Sequence, residues 1–312
     1  MDLLVDVLSQ AGLQRRILTQ RAFADSIALA FPCARSFGFH VVTQGTAFVH
    51  TPGLPQPIRL EKGDVAFMAR GVDHIVSTDE APPSHVISMG AEGPRMVDGS
   101  QEARLALASG AYQVWNDPVH PFFRELPPWY VLRARDVRHF DDLHMAIHLL
   151  SAEVGKRALG SQSVCNGLLD VIFTYIIRKI IESHHGEART WAHAVSDTQI
   201  RSALEKMHED YARPWTLDDL AKEVGLSRAG FAQKFRSAMG DTPFHYLATI
   251  RIQKAMELLS KTDDKLEAVA EAVGYKDAFS FSKAFKKLAG VSPRHFRSVD
   301  HAERGAAWRF RA

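Results

Sequence analysis

The amino-acid sequence predicts an α+β chain. A strand-rich N-terminal barrel comes first, then a pair of linker helices, then an all-α C-terminal domain with two helix-turn-helix units. Three observations predict it. Up to about Asp136, short runs rich in Val, Phe and Ile alternate with Pro- and Gly-bearing turns. From Asp141 the apolar residues recur at three- and four-residue intervals, and the last third of the chain repeats itself. With 312 residues, 46% hydrophobic and 24% charged, the chain has room for two domains of ordinary size and the composition of a globular protein.

FGFHVVTQGTAFVH, PQPIRLEKGDVAFMA and HVISMGAE read as strands, separated by turns such as TPGLP and EAPPS; their spacing suggests a small barrel or sandwich. Residues facing into such a barrel line a pocket. By alternation and polarity His40, Val42, Gln44 and His74 are the candidates for contact with a small molecule. Cys33 and Cys165 are too few for a disulfide framework, lack a CxxC spacing and exclude four-cysteine zinc. They are expected as reduced thiols, and they are the candidates for thiol sensing. No apolar run approaches the roughly 20 residues of a membrane helix. MDLLVDVLSQAG carries two Asp and no basic n-region, so no secretory signal or membrane association is expected and the cytoplasm is the default.

FDDLHMAIHLLSAEVGKRAL and SVCNGLLDVIFTYIIRKIIESHH read as helices broken at Gly160-Ser161. Their apolar faces, Leu143, Ile147 and Leu150 on the first and Leu168, Ile172 and Ile176 on the second, are expected to pack on the barrel or against a second subunit. His144 and His148 lie four apart with no third ligand in view, so no metal site is assigned to them. GEARTWAHAVSD reads as a polar linker. The resulting division is a barrel over 1–140, a helical relay and dimerisation segment over 141–185, a linker over 186–196, the repeated domain over 197–299 and a tail over 300–312.

The repeat carries the functional reading. WTLDDLAKEVGLSRAGFAQKFRSAMGDTPFHYL aligns with DKLEAVAEAVGYKDAFSFSKAFKKLAGVSPRHFR. Ala221 and Gly225 match Ala270 and Gly274 at an offset of 49; Phe231, Phe235, Gly240 and Pro243 match Phe281, Phe285, Gly290 and Pro293 at 50. Each unit reads as helix, Gly turn, helix, Gly, then Thr-Pro or Ser-Pro opening another helix. Gly225 supplies the positive φ after the first helix, Ser227 caps the second, and the Phe pairs anchor each second helix to its own core. From Arg228 to Arg297 there are thirteen Lys or Arg against seven acids, although the whole chain carries only +2. A local basic surplus on a helix-turn-helix is the footprint of duplex DNA binding, with the second helix of each unit in the major groove. The long helix around FHYLATIRIQKAMELLSK is expected to set the two reading helices about 34 Å apart, one turn of DNA.

The segment from about Thr216 to Arg297, with GYKDAFSFSKAFKKLAGVSPRHFR as its signature, resembles the C-terminal domain of AraC/XylS transcriptional regulators. Carried onto this chain, the resemblance implies base reading by Arg228, Ala229, Ala232 and Gln233 on the first helix and by Ala278, Phe279, Ser282 and Lys283 on the second. It implies phosphate contacts from Lys234, Arg236, Lys286 and Lys287. FHVVTQGTAFVH with LEKGDVAFMARGVDH resembles the cupin-type effector domain found in some of these regulators, Gly63-Asp64 and His74 matching its second motif. The paired histidines and Glu of the first cupin motif are missing where the chain reads HVVTQGTAFV, so a small-molecule effector is expected and no metal or cofactor. The resemblance further implies a homodimer acting at promoter DNA in the nucleoid, as an activator in contact with RNA polymerase. The competing reading, a metal-dependent cupin enzyme with an accessory DNA-binding domain, has against it the weak ligand spacing and the lack of a nucleophile elbow, phosphate loop or paired carboxylates.

Overall fold

A computed structural model of the chain describes residues 3–10, 16–31, 33, 36–69, 71–81, 85–88, 103–113, 120, 123, 126–136, 141–153, 156, 158–183 and 191–304. By their contacts these fall into two units.

The first unit is a sheet covered by helices. Its strands are β1 (Arg16–Phe23), β2 (Ala28–Phe31), β3 (Ser36–His50), β4 (Ile58–Glu61), β5 (Val65–Met68), β6 (His74–Ser77), β7 (Ile87–Ser88), β8 (Leu105–Gln113) and β9 (Trp129–Leu132). All pairs are antiparallel except β2 with β7. The long strand β3 is the spine. Its first half lies between β8 and β5, and its second half between β4 and β6. The change of partners occurs at a bulge between Val42 and Gln44, followed by Gly45 at φ 78°. A Cβ on Gly45 would lie 1.9 Å from the Arg104 carbonyl oxygen, so only glycine fits this corner. Phe23, Leu29, Phe31, Val42, Val49 and Leu107 belong to the apolar cluster inside the sheet.

The Gly63-Asp64 turn is held by its own carboxylate. Asp64 accepts from the Glu61 and Ala134 backbone N–H groups at 3.0 and 2.8 Å and pairs with Arg133 at 2.9 Å, tying the β4–β5 turn to the end of β9. HVISMGAE is described only to Ser88, where β7 ends; residues 89–92 lie outside the described residues.

Helices α2 (Asp142–Glu153) and α3 (Ser161–Ser183) follow, with Asp141 paired to Lys179 at 2.7 Å. On α2 the expected stripe Leu143, Ile147 and Leu150 is buried. On α3 the stripe runs through Cys165, Leu169, Ile172, Phe173 and Ile176, so Leu169 takes the place expected of Leu168. Phe173 explains the offset. Its ring packs against Tyr112, Phe37 and Phe67 at centroid distances of 4.3, 5.6 and 6.2 Å, and the largest buried side chain of the helix sets its rotation.

The second unit is helical: α4 (Trp191–Ser196), α5 (Thr198–Glu209), α6 (Leu217–Glu223), α7 (Arg228–Met239), α8 (Pro243–Lys261), α9 (Leu266–Ala272), α10 (Ala278–Ala289) and α11 (Pro293–Arg304). The stretch 186–196, expected as a linker, is helical from Trp191 onward because that indole is buried; residues 186–190 lie outside the described residues, as do 305–312 of the tail. α1 (Leu3–Gln10), His120 and Phe123 also belong to this unit.

The two segments meet in a buried polar chain. His208 Nδ1 lies 2.5 Å from Asp6 Oδ2, Lys254 Nζ 2.9 Å from Asp6 Oδ1, and the Tyr246 hydroxyl lies 2.8 Å from His208 Nε2 and 3.1 Å from His120 Nε2. Burial lowers the proton affinity of both imidazoles, and neutral rings give one consistent direction. His120 donates to Tyr246, Tyr246 to His208, and His208 to the carboxylate. Burial alone would raise the Asp6 carboxyl, but the hydrogen bonds from His208 and Lys254 and the charge of Lys254 outweigh it and hold the acid below its ordinary value.

Candidate nucleic-acid interface

The repeat read from the sequence is a repeat of geometry. Gly225 and Gly274 end α6 and α9 at φ 68° and 80°; Gly240 and Gly290 end α7 and α10 at φ 67° and 75°. The four glycines share the left-handed conformation that this residue adopts without penalty. Ser227 caps α7 by accepting from the Gly230 N–H at 3.1 Å, and Asp277 does the same for α10 from the Ser280 N–H at 2.7 Å. Pro243 and Pro293 open α8 and α11, preceded by the capping hydroxyls of Thr242 and Ser292.

Burial repeats with the same offset. Phe231 and Phe235 on α7 are fully buried, as are Phe281 and Phe285 on α10, each pair packed edge to face at 5.7 Å. The faces opposite them are open. Arg228, Ala229, Gln233 and Arg236 on α7 are exposed, with Ala232 half-buried. On α10, Phe279, Lys283, Lys286 and Lys287 are exposed, and Ala278 and Ser282 are half-buried. Phe279 is 80% exposed, against zero for its near neighbour Phe281. Each helix therefore presents one exposed face, opposite the two phenylalanines that anchor it.

The cations of these faces are not equivalent. Among the described residues Arg236, Lys283, Lys286 and Lys287 form no salt bridge, and Arg228 approaches Asp218 only at 3.9 Å with both side chains well exposed. Lys234 differs. Its ammonium lies 2.9 Å from Asp197 Oδ2 and 2.6 Å from Gln199 Oε1, at the start of α5. The expectation of a phosphate contact there meets an amine already engaged within the protein. No pattern in the sequence connects positions 197, 199 and 234.

In the sheet, His40, Val42 and His74 are buried and Gln44 is exposed, its amide donating to the Ala103 carbonyl at 2.8 Å. The bulge at Thr43 shifts the alternation by one residue, which removes Gln44 from the inward set. His40 and His74 face each other, Nε2 to Nε2, at 2.8 Å. The Val72 carbonyl accepts from His74 Nδ1 at 2.7 Å, so His74 Nε2 accepts from His40 Nε2–H and His40 Nδ1 accepts from the Ser109 hydroxyl at 2.7 Å. Burial is the first cause of both depressed pKa values: His40 falls well below its usual range, helped by His74, and His74 falls to about 4. Phe31 stacks on His74 at 5.2 Å, and Trp129 meets it edge-on at 4.8 Å. Ser109, Phe31 and Trp129 had no signal in the sequence, since each lies on a different strand from the histidine it touches. Among the described residues no three His, Cys, Asp or Glu side chains are placed to hold a metal ion.

Cys33 and Cys165 are both buried. Burial, with the charge of Asp73, pushes the Cys33 thiol up to about 11, against the pull of a hydrogen bond from Ser36. Among the described residues no helix is long and apolar enough to cross a membrane.

Two stretches of the chain match known families. Residues 2–182 match a family model described as Cupin, and residues 220–298 match one described as Helix-turn-helix domain. A putative AraC-like transcription regulator of Streptomyces lividans is 26% identical over 95% of this chain and 98% of its own length. The HTH-type transcriptional regulator MtrA of Neisseria gonorrhoeae is 27% identical over 83% of this chain and 85% of its own. Among solved structures, the C-terminal domain of AraT, a response regulator from Geobacillus stearothermophilus, is 32% identical over 33% of this chain and 86% of that one, with a TM-score of 0.32. A sheet unit matched as a cupin, followed by two capped helix-turn-helix units with open basic faces, leads to one assignment: the chain belongs to the AraC family of transcriptional regulators, with a cupin domain ahead of its helix-turn-helix DNA-binding domain.

Proposed function

We propose that the chain is a promoter-binding activator whose affinity for DNA is set by a small molecule at the sheet unit. The observation that carries the DNA part is the matched exposure of α7 and α10: two helices of one chain, each anchored by a Phe pair and open on the opposite face. In this reading Arg228 and Gln233 make the discriminating polar contacts from α7, and Ala229 and Ala232 offer methyl groups. Ala278, Phe279, Ser282 and Lys283 read from α10, while Arg236, Lys286 and Lys287 neutralise phosphates. The two helices occupy successive major-groove segments.

The effector acts near His40 and His74, a neutral polar pair bordered by the Ser109 hydroxyl and the rings of Phe31 and Trp129. Thiol oxidation is the weaker route, because the Cys33 thiol is buried and held protonated. Met145, Leu149, Val164 and Val171 are exposed on α2 and α3 and supply the apolar face for a homodimer in the cytoplasm, which brings RNA polymerase to the promoter. Selection of duplexes from a random pool by the full-length protein tests the central point. Two conserved blocks about one helical turn apart are expected. A single block, or enrichment without sequence preference, would refute two-helix reading.

A further inference from the structure

The first helix-turn-helix is tied to α5 by a polar clamp. Asp197 caps α5, its Oδ1 accepting from the Gln199 and Ile200 N–H groups at 3.0 and 3.1 Å, and its Oδ2 receives Lys234 of α7 at 2.9 Å. Gln199 uses both ends of its amide. Its Oε1 accepts from Lys234 at 2.6 Å, and its Nε2 donates to the Val224 carbonyl at 3.0 Å. Val224 is the C-cap of α6, where a helix leaves carbonyls without intrahelical partners. Two side chains of one helical turn therefore grip both sides of the helix-turn-helix, the end of α6 and the middle of α7.

Lys234 adjoins Gln233, so the clamp bears directly on how the reading face is turned. The second unit has no counterpart: fifty residues on from Lys234 stands Ala284. Both clamp residues on α5 also lie outside the two regions, 2–182 and 220–298, that match known families.

We propose that Asp197 and Gln199 are positioning residues for the first reading helix alone, and that Lys234 serves this clamp rather than the DNA backbone. The inference rests on the DNA-reading role proposed above for α7. Without the clamp, α7 keeps its Phe anchors but gains freedom to roll, and the contacts of Arg228 and Gln233 lose their fixed direction. A lysine that meets phosphate releases counterions; a lysine spent inside the protein does not.

The test uses the full-length protein and the duplex that it selects from a random pool, with single base-pair changes in each block, titrated between 50 and 200 mM KCl. Asp197→Asn keeps a good helix cap and removes only the charge; Gln199→Ala removes both amide links; Lys234→Arg restores a donor that Lys234→Met abolishes. Asp197→Asn, Gln199→Ala and Lys234→Met are expected to reduce discrimination about two- to fivefold in one block only, the scale of a half-exposed ion pair. Their salt slopes should equal wild type, and Lys234→Arg should recover discrimination. Lys286→Ala, the control, should lower the slope by about 0.9 and leave discrimination intact. A Lys234→Met slope reduced like that of Lys286→Ala would overturn the inference, as would equal losses in both blocks with thermal melting unchanged. A pool with no preferred duplex would overturn sequence reading itself, and the clamp's role with it.

Discussion

Phe279 and Phe281 are separated by one residue, yet substitution at each should register in a different assay. Phe281 is fully buried among Tyr275 and Phe285, at ring distances of 5.7 Å. Phe281→Ala is expected to lower unfolding free energy by about 3–5 kcal/mol, as measured by urea denaturation. Phe279→Ala, at an exposed site, should change stability by less than about 0.5 kcal/mol while weakening binding to duplexes that place a thymine methyl under that side chain. A large stability loss at Phe279 would mean that the ring packs rather than reads.

The two sheet histidines make a pH prediction of definite sign. His74 titrates near 4 in the folded chain, below the ordinary 6.5 of an unfolded imidazole, and His40 is depressed in the same direction. Between those values the unfolded chain binds more protons than the folded one. The stability from this pair is complete above pH 6.5 and drains away as pH falls toward 4. Ring-nitrogen NMR should find both imidazoles neutral at pH 5.5; a protonated signal from either at that pH would refute the arrangement.

Among the elements, the two helix-turn-helix units look alike in sequence and differ in tolerance. Gly225 and Gly274 both have positive φ, but a Cβ on Gly225 meets nothing within 4 Å, whereas one on Gly274 would lie 2.4 Å from the Ala212 carbonyl oxygen. Gly225→Ala should therefore cost only the backbone penalty, about 1–2 kcal/mol, seen as a modest drop in melting temperature. Gly274→Ala adds a backbone clash and should cost clearly more. Equal melting temperatures would contradict the close approach. Ala212 lies in the same turn that Arg251 of α8 braces, through the Tyr211 and Arg213 carbonyls at 2.7 and 2.8 Å, so the Gly274 turn is built against the segment that leads into α6.

This contrast marks what the residues disclose. Glycines, prolines and phenylalanines at a fixed offset announce the repeat, because backbone conformation and core volume each demand a residue type. The partners of Gly274, the Lys234 clamp and the outward turn of Gln44 depend on which distant segment arrives. The bulge at Thr43 arises from the pairing of β3 with β8, whose residues stand about sixty positions away. Such facts are properties of contacts and have no local pattern to betray them.

For the molecule as a whole, the buried polar chain of the helical unit is the most exposed to damage. Asp6→Ala would remove the carboxylate that Lys254 and His208 share in a largely buried site. The expected loss is about 3 kcal/mol, the scale of a buried pair robbed of one partner. Calorimetry should place that loss in the unfolding of the helical unit; a loss confined to the sheet unit would contradict the assignment of α1.

The same chain constrains how this regulator can be recombined. Its acid comes from position 6 and one of its imidazoles from position 120, both far upstream of the helices they complete. A hybrid spliced near residue 190 would import a stranger's residues at those two places. N-terminal segments can then be exchanged between relatives without loss only when the donor supplies a matching carboxylate and ring, or when His208 and Lys254 are rewritten to suit.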